Sequence, residues 1–175
     1  MTMKLTDHCR PIELILSDVD GVLTDGGIWY DNQGVELKCF HIRDGMGVRL
    51  WQQAGFKFGV LTARTSHIVK LRAGELGIDI VRQGFEDKLP VAQEIIRECR
   101  LKPQQVCYIG DDLTDLPVIR HVGLGIAVGD AAVEVRAAAA YVTRLPGGRG
   151  VAREVVETIL KAKGRWDDVI QRYMT

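Results

Sequence analysis

The chain carries no excess charge of either sign. Lys plus Arg and Asp plus Glu both number 23, so no net field draws it to nucleic acid or to an anionic membrane. No apolar run approaches the ~20 residues of a membrane span. The opening MTMKLTDHCR lacks the apolar core of a secretory signal. The four cysteines, Cys9, Cys39, Cys99 and Cys107, are scattered without CxxC spacing. They read as reduced thiols, Cys107 packed in a core strand. There is no repeat, no low-complexity segment and no linker. What remains is one cytoplasmic domain over 1–175, long enough to bury a core without staples. Its 46% hydrophobic and 26% charged residues are ordinary globular values.

The informative stretch is IELILSDVDGVLTDGG, residues 12–27. An apolar run (Ile12, Leu14, Ile15, Leu16) ends in Asp18, Asp20 and Gly21, the pattern of a buried strand delivering side chains at its carboxyl end. Ile28 to Asp31 and Val35 to Phe40 flank Asn32-Gln33-Gly34 and predict a hairpin. Trp29 and Tyr30 have little core of their own to enter there, so they either pack back on the domain or bury against another subunit, the second being the favoured reading. Asp44 reads as the N-cap of a helix reaching Ala54. Strands follow at Phe56 to Leu61, Ile78 to Val81, Gln105 to Ile109, Leu124 to Val128 and Tyr141 to Thr143. Helices open at Ser66, Asp87, Leu116, Ala131 and Val151, and a tail follows Gly164. Such alternation implies an α/β, three-layer Rossmann-like parallel sheet with right-handed crossovers, the hairpin its one insertion and no large cap domain.

Polar groups stand at four strand ends: Asp18 and Asp20; Thr62; Lys88; and Asp111, Asp112 and Asp115. In a parallel sheet these ends share one edge, where ligands bind. Clustered carboxylates need a cation, and a hard oxygen-liganded ion such as Mg²⁺ suits them. A Thr hydroxyl and a Lys ammonium are what a phosphoryl group requires. Two carboxylates two residues apart suit a nucleophile and a general acid/base. His41 has no second His or Cys at ligand spacing and reads as a hydrogen-bonding loop residue. Arg64 and Arg72, about two turns apart, can share one side of the Ser66 helix, where a solvated face explains Arg72 equally well. Gly147 to Gly150 lacks the strand-GxxxxGK context of a phosphate loop and reads as a hinge or a plain loop.

DVDGVLTDG (18–26), Thr62, Lys88 and GDDLTD (110–115) resemble, in order, the four motifs of the haloacid dehalogenase-like phosphohydrolases. Further segments, FHIRDGMGVRL, LTARTSHIVKLRAGELGI, QGFEDKL, YIGDDLTDLPV and GGRGVARE, are similar to the 3-deoxy-D-manno-octulosonate 8-phosphate (KDO 8-phosphate) phosphatases within that superfamily. The similarity runs from about Ile12 to Gly164. It implies a Mg²⁺-dependent hydrolysis through an aspartyl-phosphate, serving lipopolysaccharide precursor synthesis. Asp18 would be nucleophile and Asp20 acid/base, with Asp18, the Asp20 carbonyl and Asp111 on the metal. Thr62 and Lys88 would hold the phosphoryl group, supported by Asp112 and Asp115. The sugar acid would meet Asp20, Lys88, the segment His41, Ile42, Arg43, Asp44 and Gly45, and the basic residues Arg49, Arg64 and Arg72. The resemblance further implies a homotetramer in which the hairpin (about 26–41) closes a neighbour's site. Ala63 departs from the family's usual Gly after the second-motif Thr, and its methyl would narrow the phosphate pocket.

Three rivals stand beside this reading. One keeps the chemistry on a related nine-carbon 2-keto sugar acid phosphate. Another is a receiver-like domain that retains its phosphoryl group, which Asp20 opposes by supplying a base. The third is a catalytically silent oligomerisation domain, which the intact motifs oppose.

Overall fold

A computed structural model describes residues 4–174. Met1 to Met3 and Thr175, the extremes of the expected domain and tail, lie outside the described residues. The strands are β1 (Leu14–Ser17), the hairpin pair β2 (Trp29–Tyr30) and β3 (Glu36–Leu37), β4 (Lys57–Thr62), β5 (Ile80–Gln83), β6 (Val106–Gly110), β7 (Leu124–Ala127) and β8 (Tyr141–Val142). The helices are α1 (Leu5–Cys9), α2 (Ile42–Gln53), α3 (His67–Leu76), α4 (Lys88–Glu98), α5 (Leu116–His121), α6 (Val133–Ala138), α7 (Val151–Ala162) and α8 (Trp166–Ile170).

Six strands form one parallel sheet in the order β5-β4-β1-β6-β7-β8, and β2-β3 form a separate antiparallel pair. With the hairpin set aside, the chain winds outward from β1 through β4 to β5, then crosses back to β6 and winds the other way. The reversal falls between β1 and β6, the switch point where such sheets open a crevice. The residues of β1, β6 and β7 are all buried, the continuous apolar pattern of strands covered on both faces. In α2, Trp51 stacks on Phe56 at 4.3 Å and donates its indole N–H to the Lys57 carbonyl at 2.7 Å. Gly47 lets α2 lie close on α7, since a Cβ there would stand 2.7 Å from Arg153 Cα. Among the described residues no helix is long and apolar enough to cross a membrane.

The expected cap is corrected. His41, not Asp44, caps α2, its Nδ1 accepting from the Arg43 amide at 3.2 Å. Asp44 is buried in the first turn and serves another helix. Its carboxylate accepts the Gly150 and Arg153 amides, both at 3.2 Å, at the start of α7. A carboxylate there meets unsatisfied N–H groups and the positive end of the helix dipole. Two short helices, α1 and α8, carried no recognisable period. The tail packs through Trp166, which lies under the Arg153 guanidinium at 5.1 Å, and through buried Val169.

Candidate active site

The turn after β1 is a compact knot of backbone bonds. The Val19 carbonyl accepts the Leu23 and Thr24 amides, and Thr24 Oγ1 accepts from Gly21 and Gly26. Gly21 sits at φ +85°, and a Cβ there would stand 2.0 Å from Asp111 Oδ2, so the close approach of this turn to the β6 loop requires glycine. Gly147 and Gly148 brace the turn from outside. The Gly148 amide bonds the Val22 carbonyl at 2.9 Å, and a Cβ on Gly147 would meet the Gly21 carbonyl oxygen at 1.9 Å. The Gly-rich stretch is thus a packed support for the turn.

Around the switch point the separated acids converge. Single carboxylate oxygens of Asp18, Asp111 and Asp115 all lie within 4.8 Å of one another. Lys88, the first residue of α4 and 1% exposed, places its ammonium 2.7 Å from Asp18 Oδ2 and 2.6 Å from Asp115 Oδ1. Asp115 is fully buried and fully engaged: Tyr108 donates its hydroxyl at 2.6 Å, and the Asp111 and Asp112 amides donate at 2.9 and 3.2 Å. It therefore anchors Lys88 and the loop. Asp18 Oδ1 accepts the Val19 amide at 2.7 Å.

Three acids sharing so small a volume repel one another. Burial, then the Asp115 charge, pushes the Asp18 carboxyl up to about 6 against the pull of Lys88. Burial, then Asp115 and Asp18, pushes Asp111 up to about 8. Burial lowers the Lys88 ammonium, but Asp18 and Asp115 outweigh it and hold the group above its ordinary value. Lys88 is engaged by Asp18 and Asp115, and among the described residues no cation pairs with Asp111. A divalent cation with oxygen ligands fits this unbalanced pair, Asp18 and Asp111, and would relieve the repulsion.

Thr62 closes β4, buried, its hydroxyl oxygen 3.4 Å from the Arg64 amide. Ala63 is not at positive φ, so its backbone does not call for glycine. Asp112 caps the turn that follows it, accepting the Leu113 amide at 2.8 Å. Asp20 turns toward the hairpin: its Oδ1 pairs with Lys38, and Arg64 Nε stands 3.8 Å from Oδ2. Lys38 and Glu36 were not singled out from the sequence. The signal was the alternation Glu36-Leu37-Lys38, which sets both charges on one side of an extended segment. The remaining expected substrate residues gather between α2 and α3. Arg49 bonds the Glu75 carbonyl at 3.3 Å. Arg72 pairs with the Glu75 carboxylate at 3.0 Å and lies 5.8 Å over the Phe40 ring. Gly45 faces that guanidinium, Ile42 is exposed, and Arg43 is exposed beside it. Neither Arg49 nor Arg72 is ion-paired with the acids at the switch point.

The model of the haloacid dehalogenase-like hydrolases matches residues 53–155. A 3-deoxy-D-manno-octulosonate 8-phosphate phosphatase KdsC from Yersinia pestis is 45% identical over 154 residues, 88% of this chain and 82% of that one. Among solved structures, a probable YrbI family phosphatase from Pseudomonas syringae pv. phaseolica 1448a superposes with a TM-score of 0.96 at 44% identity, covering 98% of this chain and 97% of that one. The 3-deoxy-D-manno-octulosonate 8-phosphate phosphatase of Moraxella catarrhalis, solved with magnesium, phosphate and KDO, gives 0.94 at 39% identity over 96% and 97%.

Proposed function

The chain belongs to the haloacid dehalogenase-like hydrolases and, within them, to the 3-deoxy-D-manno-octulosonate 8-phosphate phosphatases, and from that premise we propose the residues that carry its reaction. It is a Mg²⁺-dependent phosphoric monoester hydrolase acting on KDO 8-phosphate. The observation that carries the assignment of roles is the convergence of Asp18, Asp111 and the Lys88–Asp115 pair at the switch point.

Asp18 is the nucleophile. Its carboxylate attacks phosphorus, the bond from phosphorus to the sugar oxygen breaks, and Asp20 delivers a proton to the departing oxygen. Asp20 then takes a proton from water as that water attacks the aspartyl-phosphate, which releases phosphate and restores Asp18. Lys88, held by Asp115, offers its ammonium to the phosphoryl oxygens, and the Thr62 hydroxyl donates to them. Asp18 and Asp111, with the Asp20 carbonyl, would hold Mg²⁺, which neutralises charge on the phosphoryl oxygens. Arg64, 3.8 Å from Asp20 and paired with Glu36, would meet the sugar carboxylate, a role its proximity to Asp20 supports. Arg49, Arg72 and the segment His41 to Gly45 would then serve the rest of the sugar, or the site of a neighbouring copy.

On the outer side of the hairpin Trp29 and Leu37 pair across the strands, 63% and 56% exposed. A neighbouring subunit in a homotetramer would cover them, the hairpin completing that neighbour's site. Tyr30, 61% exposed, lies on the same side as its cross-strand partner Glu36 and beside Arg64, and it would join that interface at its edge. We read residues 1–175 as one phosphatase domain, cytoplasmic and acting on a small molecule. Phosphate release from a panel of sugar phosphates, with Mg²⁺ and with EDTA, tests the assignment. KDO 8-phosphate should be preferred and EDTA should abolish turnover; equal rates on a nine-carbon 2-keto sugar acid phosphate would overturn the specificity. Sedimentation of a Trp29→Ser, Leu37→Ser variant should show a smaller assembly than the parent, and an unchanged mass would overturn the hairpin interface.

A further inference from the structure

Successive residues of an extended segment point to opposite sides. The hairpin sends its apolar side outward, with Val35, Leu37 and Cys39 exposed, and its charged side inward. Lys38 is the extreme case, its side chain only 2% exposed. A lysine is rarely so buried unless it is paired. Its ammonium pairs with Asp20 Oδ1 and lies 3.6 Å from Glu36 Oε1. Arg64 closes the circuit, 2.6 Å from Glu36 Oε1 and 3.8 Å from Asp20 Oδ2. Two cations and two anions alternate around a ring of balanced charge. Glu36 is held below the ordinary carboxylate range: burial raises it, but Arg64 and Lys38 outweigh burial.

The ring treats the two oxygens of Asp20 differently. Oδ1 is engaged by Lys38, whereas Oδ2 is buried, with Arg64 Nε no nearer than 3.8 Å and no hydrogen-bond partner among the described residues. A buried oxygen with spare capacity, beside a twin that is held, is the atom free to exchange a proton. We propose that Lys38 is a positioning residue of the reaction. It grips Asp20 by Oδ1 so that Oδ2 faces the leaving oxygen and then the attacking water, while Glu36 and Arg64 keep Lys38 in place. In the first step the proton leaves Oδ2 for the sugar oxygen, and in the second it returns to Oδ2 from water. Lys38 keeps its own protons throughout. The hairpin thereby belongs to the active site of its own chain. The inference rests on the reading of Asp20 as acid/base.

The test compares Lys38→Met, Lys38→Arg, Asp20→Asn and the Lys38→Met, Asp20→Asn double variant of the full chain, with Mg²⁺ and KDO 8-phosphate. Lys38→Met should lower kcat by roughly 10- to 100-fold, the scale of a catalytic group misplaced by about 1 Å, with KM little changed. Lys38→Arg should recover most of the loss. In the Asp20→Asn background Lys38→Met should add nothing, because residues acting through one another are not additive. A rise in KM at constant kcat, or losses that multiply in the double variant, would overturn the proposal. So would an unimpaired Lys38→Met beside an impaired Asp20→Asn. An unimpaired Asp20→Asn would instead sink the acid/base reading itself. Should Lys38→Met fail to fold, Glu36→Gln, which leaves Lys38 in place and loosens the ring, must give a smaller kcat loss that vanishes in Asp20→Asn. A Glu36→Gln loss that persists there refutes the positioning role.

Discussion

Replacing Asp111 by Asn should stabilise the protein without metal and destabilise it relative to the parent with metal. Asp111 stands where burial, Asp115 and Asp18 raise its carboxyl from the ordinary 3.8 to about 8. Between those values the folded state keeps a proton that the unfolded chain has lost, so stability falls as pH rises through this window. Taken at face value, the displacement amounts to about 5 kcal/mol at pH 8. Asp111 partly reaches water and shares its repulsion with Asp18 and Asp115, which reduces the figure to about 2 kcal/mol. For a chain of this size about 2 kcal/mol moves Tm by roughly 4–8 °C. Thermal unfolding in EDTA at pH 8 should therefore find Asp111→Asn the more stable protein, with the advantage fading toward pH 4, where the parent is protonated as well. Saturating Mg²⁺ should stabilise the parent by about 2.7 kcal/mol at a hundred times its Kd and the variant far less, so the order reverses. A variant less stable than the parent in EDTA at pH 8, or a difference independent of pH, would refute the electrostatic account of the site.

Lys88→Met removes the cation between two buried acids. It should abolish turnover and cost about 3–5 kcal/mol at pH 8, with part of the loss recovered at pH 5 as Asp18 protonates, read by calorimetric melting at both values. Gly21→Ala drives a methyl into Asp111 Oδ2 at a backbone angle that suits glycine. Titration calorimetry should show Mg²⁺ affinity reduced by about tenfold or more. Asp44→Ala strips the carboxylate from the start of α7 and should lower stability by about 1–2 kcal/mol in urea unfolding.

The alternation of short apolar runs with amphipathic segments determined the α/β class, the parallel sheet and the one inserted hairpin. Those features follow from the periodicity of neighbouring residues, which local sequence records. Asp18, Lys88 and Asp111 were legible for the same reason: each stands next to the end of a readable strand or the start of a readable helix. Element ends shifted by a residue or two, because the last turn of a helix and the edge of a strand depend on what packs there. Only the tertiary structure decided which groups meet. Asp44 looked like the cap of its own helix, yet it caps one whose first residues lie 106 and 109 positions on. Lys38 and Glu36 acquired partners only because the hairpin folds over Asp20. Asp115 became the anchor of Lys88 because β6 lies beside β1, an adjacency set by the order of strands in the sheet. Such partnerships arise from close approach between distant segments, and the local pattern on either side of each contact would read the same without it.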